Sequence, residues 1–116
     1  MKKIYHLATC STCAQILDDF GAKAKGFELQ DIKTAKITPA QLEEMKELAG
    51  TYEALFSRRA LKYRELGLNT KTLSENEYKK YILEEYTFLK RPVVINEKSI
   101  FIGNAPKVVA QAKASM

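Results

Sequence analysis

Apolar and polar positions follow two rhythms along this chain, and the rhythm changes twice. Lys3–Leu7 carries Ile4, Tyr5 and Leu7 in a short run and predicts a strand. Ser11–Phe20 places Cys13, Ile16, Leu17 and Phe20 at the 3.6-residue period of a helix, with Gly21 as a natural stop. Gly26–Ile32 predicts a second strand with Phe27, Leu29 and Ile32 facing inward. Strands joined by a helical crossover are normally parallel and right-handed.

From Thr38 to about Tyr86 every periodic segment is helical. Thr38, Pro39 and Gln41 spell an N-cap, a first helical residue and a capping box, followed by the stripe Leu42, Met45, Leu48 and Ala49 and by Gly50. A short segment at Tyr52–Phe56 and a helix over Ala60–Leu66, stopped by Gly67, come next. Ser74 and Glu77 form a second capping box ahead of Tyr78, Tyr81, Ile82 and Glu85. Strand rhythm then returns in Val93–Ile95 and Ile100–Ile102, separated by a hairpin loop over Asn96–Ser99. A last helix is expected from about Ala105 to Ala114. The order is β-α-β, a helical block, then β-β-α. The expected fold is therefore α/β: one domain over 1–116, with a β-α-β-β-α core from about 1–35 and 88–116 and a helical insertion over about 36–87.

Composition narrows the class. A chain of 116 residues, 46% hydrophobic and 28% charged, suits a compact globular domain that needs no disulfide to fold. Its longest apolar runs, Pro92–Ile95 and Ile100–Ile102, fall far short of the ~20 residues that span a membrane. No apolar stretch of signal-peptide type follows Lys2-Lys3, so the expected compartment is the cytoplasm, where thiols stay reduced. The net charge is +5. It is compatible with an anion site, but no Lys or Arg run exceeds two residues and no nucleic-acid motif appears.

The strongest chemical signal is Cys10-Ser11-Thr12-Cys13, where the first strand gives way to the first helix. A Cys-x-x-Cys at such a junction reads as a thioredoxin-like redox motif. The free N–H groups and dipole of a helix N-terminus favour an anion, so a thiolate on Cys10 gains there. Cys13 is close enough to attack a mixed disulfide formed on Cys10. The competing readings are two structural cysteines or a zinc site, although two cysteines and the single histidine, His6, make only three of four zinc ligands. His6, four residues before Cys10, either polarises the thiol or simply packs at the strand end. Arginines number four, Arg58, Arg59, Arg64 and Arg91, and their planar fork suits oxyanions. Arg91 precedes Pro92 at a strand start, a loop-to-strand junction. The other three equally well form a charged helix face.

Tyr5-His6 before Cys-x-x-Cys, then Tyr63-Arg64-Glu65-Leu66-Gly67-Leu68, then Lys90-Arg91-Pro92-Val93-Val94-Ile95 followed by Gly103 occur in this order. Together they resemble the arsenate reductase-like family of thioredoxin-fold proteins, which includes glutaredoxin-coupled arsenate reductases and Spx-like regulators. The resemblance covers nearly the whole chain. It implies a thioredoxin-like core interrupted by helices, with Cys10 as nucleophile, Cys13 as resolving thiol and His6 as its histidine neighbour. Arg59 and Arg91 would hold an oxyanion such as arsenate, and Pro92 would be the proline that is usually cis. No bound cofactor or metal is implied. Glutathione with glutaredoxin, or thioredoxin, would act as external reductant. In the Spx-like alternative, the Cys10–Cys13 disulfide switches a surface that binds RNA polymerase. Two positions depart from the reductase pattern. Asn104 stands where a third oxyanion arginine is expected, and Ala14 where many members have Arg or Lys. Each lost cation removes a contact worth about 1.5–3 kcal/mol to a bound anion.

Overall fold

The computed structural model describes residues 1–116. Its elements are β1 (Lys2–His6), α1 (Ser11–Phe20), β2 (Glu28–Asp31), α2 (Pro39–Ala49), α3 (Leu61–Glu65), α4 (Glu75–Glu84), β3 (Val93–Asn96), β4 (Ser99–Ile102) and α5 (Pro106–Ser115). The chain divides into two compact units, residues 1–36 with 91–116 and residues 37–90. No helix is long and apolar enough to cross a membrane.

The first unit is a mixed four-stranded sheet in the order β2-β1-β3-β4. β1 is parallel to β2 and antiparallel to β3, and β3 is antiparallel to β4. The register aligns Ile4 with Val94 and Val94 with Phe101, giving an apolar row across three strands. That row packs with Ile16 and Phe20 of α1 and Val109 and Ala112 of α5. Burying a side chain of this kind contributes about 1.5–3 kcal/mol. The exposed pair Lys113–Asp19, at 3.0 Å, belongs to a class worth about 0–1 kcal/mol, so apolar packing holds this layer together. Tyr5, Val93 and Ile95, which alternate with that row, are buried too, so β1 and β3 carry apolar side chains on both faces.

Three local expectations change. The second strand begins only at Glu28, because Gly26 turns at φ 93° and the Phe27 N–H is tied to the Ala24 carbonyl at 3.0 Å. Leu29 does not face inward; it is 52% exposed, because β2 is an edge strand. Ile32 is buried just beyond the strand and Phe27 packs on the core just before it, so the inward positions flank β2. The hairpin loop is Glu97-Lys98 alone, since Asn96 and Ser99 pair as the last rung and Glu97 takes the turn at φ 57°.

The second unit is helical. Both capping boxes form: the Gln41 N–H donates to Thr38 Oγ1 at 3.1 Å, and the Glu77 N–H to Ser74 Oγ at 3.3 Å. Leu42 and Met45 of α2 and Tyr78 and Ile82 of α4 are buried. Phe56 is the centre of an aromatic cluster, stacked on Phe88 at 5.0 Å and edge-on to Tyr63 at 5.9 Å. Leu89 and Lys90 belong with the helices because Phe56 bridges to Leu89 and the Lys90 N–H donates to the Leu55 carbonyl at 2.8 Å.

Candidate active site

β1 ends at His6, and a tight turn follows in which the Cys10 N–H donates to the Leu7 carbonyl at 3.0 Å. Cys10 is the N-cap of α1, with extended backbone at φ −91° and ψ 114°. Its carbonyl accepts the Ala14 N–H at 3.0 Å, so its thiol stands at the open N-terminus of the helix. The first turn of α1 carries no acidic residue to oppose an anion there. Cys10 is half-buried, whereas Cys13, one helical turn on, is buried on the same stripe as Ile16 and Phe20.

The two thiols are driven apart chemically. Burial pushes the Cys10 thiol up. The Cys13 backbone N–H, the Cys13 thiol proton, the Thr12 N–H and the charge of Arg91 together outweigh this and hold it below its ordinary value. Cys13 is pushed up to about 11, first by burial and then by the neighbouring Cys10 sulfur, against the opposing Leu7 N–H. Cys10 is therefore the more readily ionised member of the pair and Cys13 the proton donor beside it.

The sheet brings the remaining first-unit residues to this end. Tyr5 pairs with Val93, so the start of β3 lies beside the end of β1. Arg91 and Pro92 lead into that start, joined by a cis peptide bond, and Arg91 is half-buried. The Pro92 carbonyl accepts the Gly103 N–H at 2.9 Å, which ties the loop carrying exposed Asn104 to the proline. Gly103 turns there at φ 92°, a conformation that favours glycine. The His6 carbonyl accepts the Ile32 N–H at 2.9 Å, while its Nδ1 is buried without a hydrogen-bond partner.

Arg59 belongs to the helical unit and is exposed. Its neighbour Arg58 is committed: Nη2 lies 2.8 Å from Glu53 Oε2 and donates to the Tyr78 hydroxyl at 2.9 Å. No three His, Cys, Asp or Glu side chains gather as a metal ion would require. Sequence reasoning anticipated the free N–H groups at the helix N-terminus but missed the Cys13 thiol as a further group that lowers Cys10. The three-residue spacing held that signal, because it puts Cys13 within reach of the N-cap side chain. It also gave Arg91 only an anion-binding role, whereas its charge acts on both thiols.

Comparison with known proteins agrees with this geometry. The model of the ArsC family matches residues 5–112. Global transcriptional regulator Spx 2 of Bacillus anthracis is 28% identical over 105 residues, covering 89% of this chain and 79% of that protein. Its namesake in Bacillus cereus is 26% identical over 102 residues, covering 86% of this chain and 77% of that protein. The arsenate reductase of Vibrio cholerae superposes with a TM-score of 0.80 at 19% identity, covering 96% of each chain. That likeness carries the fold, a mixed four-stranded sheet with helices of the thioredoxin-like kind, and the family match extends over nearly the whole sequence: the chain belongs to the ArsC family.

Proposed function

We propose that this chain is a thiol-dependent reductase acting on arsenate or a related oxyanion, with Cys10 as nucleophile and Cys13 as resolving thiol. The observation that carries the reading is the opposed protonation of the pair, a lowered thiol at the helix N-terminus and a raised one buried behind it. Cys10 Sγ attacks arsenic as a thiolate. A sulfur–arsenic bond forms, and the displaced hydroxide leaves as water once protonated. A second thiolate, from Cys13 or glutathione, then attacks the Cys10 sulfur. The sulfur–sulfur bond forms, the sulfur–arsenic electron pair stays on arsenic, and arsenic leaves reduced by two electrons as arsenite. Cys13 ionises more readily at that stage, because the Cys10 thiolate that had raised its pKa is gone. Glutathione with glutaredoxin, or thioredoxin, returns two electrons and two protons to the disulfide. No bound cofactor or metal enters these steps.

Arg91 holds the oxyanion in this scheme, since its charge already acts on the Cys10 thiol. Asn104 supplies a neutral amide in place of a third cation. Pro92 carries Arg91, and His6 stands behind the turn that bears Cys10. Arg59 enters through the family resemblance, and its freedom from ion pairs, unlike Arg58, is compatible with that role.

The reading is tested by incubating purified protein with arsenate, glutathione and glutaredoxin, or with thioredoxin, and following arsenite. Wild type should turn over and Cys10→Ser should lose essentially all activity. Full activity in Cys10→Ser overturns the mechanism. The regulator reading draws on the Spx 2 relatives and on the two missing cations, Ala14 and Asn104. It expects no arsenite and a Cys10–Cys13 redox-dependent retention of RNA polymerase.

A further inference from the structure

The net charge of this chain is confined to one of its two units. Residues 1–36 and 91–116 carry ten Lys and Arg against five Asp and Glu, whereas residues 37–90 carry nine of each. The whole +5 belongs to the unit that bears Cys10. Most carboxylates of that unit are already engaged away from the thiols. Glu28 pairs with Lys3 at 3.4 Å, Asp19 with Lys113 at 3.0 Å, and Glu97 with the N-terminal amine at 2.8 Å. Those pairs lie towards the end of the sheet where β1 begins.

The other end is different. It is built by the turn from Leu7 to Cys10, the loop after β2, the Arg91-Pro92 junction and the loop from β4 into α5. Lys33, Lys36 and Arg91 lie on these segments, and Lys107 lies in the first turn of α5 just beyond the last of them. The one nearby carboxylate, Asp31, turns Oδ1 to the Lys33 backbone N–H at 3.1 Å. Ser99–Met116 contains no acidic residue at all. Lys33, Lys36 and Lys107 are exposed and make no ion pair.

A solvated surface normally intersperses both signs, and a rim of one sign costs self-repulsion. What it gains is attraction and faster encounter with an opposite charge. The size of the rim indicates the partner. Lys33 follows β2 and Lys107 follows β4, the two edge strands. Three strand spacings of about 4.8 Å separate those edges by roughly 14 Å. Backbones that far apart on opposite edges of the sheet suit a broad protein face better than one small oxyanion held at Cys10.

We propose that Lys33, Lys36 and Lys107 form a docking rim around Cys10 for the acidic face of a thiol–disulfide reductant protein. The inference rests on the reductase reading above and adds the chemistry of its partner.

The test uses oxidised protein carrying the Cys10–Cys13 disulfide and an acidic thioredoxin as reductant. The double variant Lys33→Glu/Lys107→Glu should lower the second-order rate of reduction by about tenfold or more at low salt, within the range that steering supplies. The difference should shrink as salt approaches 1 M, where the screening length falls to about 3 Å. Reduction by dithiothreitol should stay within about twofold of wild type. So should reduction by thioredoxin of Lys23→Glu/Lys25→Glu, an equal charge change in the turn after α1. Rates that fall equally in the two double variants, or in neither, overturn the rim and leave the reductase reading standing. Loss with dithiothreitol as well places the lysines in the thiol chemistry and also overturns it. Duplex DNA retained by wild type and released by Lys33→Glu/Lys107→Glu, with unchanged thioredoxin kinetics, assigns the rim to nucleic acid instead. Failure of the protein to form a Cys10–Cys13 disulfide on oxidation removes Cys13 as resolving thiol and the rim with it, while the arsenite assay with glutathione still decides the reductase reading.

Discussion

Cys10 and Cys13 are three residues apart and chemically unlike, and the difference is made by their surroundings. Cys10 competes with its own burial by borrowing two backbone donors, one thiol proton and one remote charge. Removing that charge isolates its share. Arg91→Met should raise the Cys10 pKa, seen as an iodoacetamide alkylation profile shifted to higher pH. An unshifted profile would mean that the backbone donors alone suffice. Cys13 makes a separate prediction about stability. Its thiol ionises in the unfolded chain near 9 and in the folded chain at about 11, so between those values the unfolded state binds fewer protons. Stability is therefore present below about pH 9 and declines as pH rises towards 11. Cys13→Ala should flatten that decline in urea titrations compared with wild type. The spacing of the cysteines and their place at a strand-to-helix junction could be read from sequence. The pull of Arg91 on both thiols could not be, because it depends on the pairing of Tyr5 with Val93, which closes most of the chain into one loop.

The capping boxes of α2 and α4 were readable because their hydrogen bonds are local: a hydroxyl, a carboxamide or carboxylate, and backbone three residues apart. They should nevertheless behave differently in acid. The α2 box is closed by Gln41, which does not titrate. In the α4 box the Ser74 N–H and hydroxyl hold the Glu77 carboxyl below its usual range. A depressed carboxyl contributes stability above its unfolded pKa and loses it as pH falls through the folded one. Thr38→Ala should cost about 1 kcal/mol in thermal or urea unfolding at both pH 7 and pH 3. Glu77→Gln should destabilise at pH 7, and that cost should shrink as pH falls through the acid range in which the carboxyl protonates. A pH-independent cost for Glu77→Gln would show that the carboxylate charge is not what the box uses. The strands were less readable for the opposite reason. Whether Leu29 faces a core or the solvent depends on β2 lying at the sheet edge, and no periodicity within Gly26–Ile32 carries that information. The length of the hairpin likewise depended on the pairing of Asn96 with Ser99 rather than on composition.

The sheet and the charge distribution belong to the molecule as a whole, and neither appears until distant segments are assembled. The +5 was countable from the start, yet its restriction to residues 1–36 and 91–116 needs the boundary of the units. The same assembly ranks the strands by resistance to opening. β1 and β3 are the interior strands, hydrogen-bonded on both edges, and Ile4, Tyr5, Val93, Val94 and Ile95 are all buried. β2 and β4 each leave one edge unpaired, and they carry exposed or half-buried side chains in Leu29, Ile100 and Ile102. Opening an interior strand exposes two ladders and two apolar faces, whereas an edge strand gives up one ladder and less apolar area. Amide hydrogen exchange followed by NMR should therefore be slowest in β1 and β3. Outward-pointing amides of β2 and β4 should exchange at least tenfold faster. The Ser57 and Lys90 amides, bonded to the Phe88 and Leu55 carbonyls at 2.7 and 2.8 Å beneath the Phe56 cluster, should rank among the protected positions of the helical unit. If β2 and β4 exchange as slowly as β1 and β3, the edges are covered in solution. The unpaired ladders of β2 and β4 would then be occupied by a partner rather than by water.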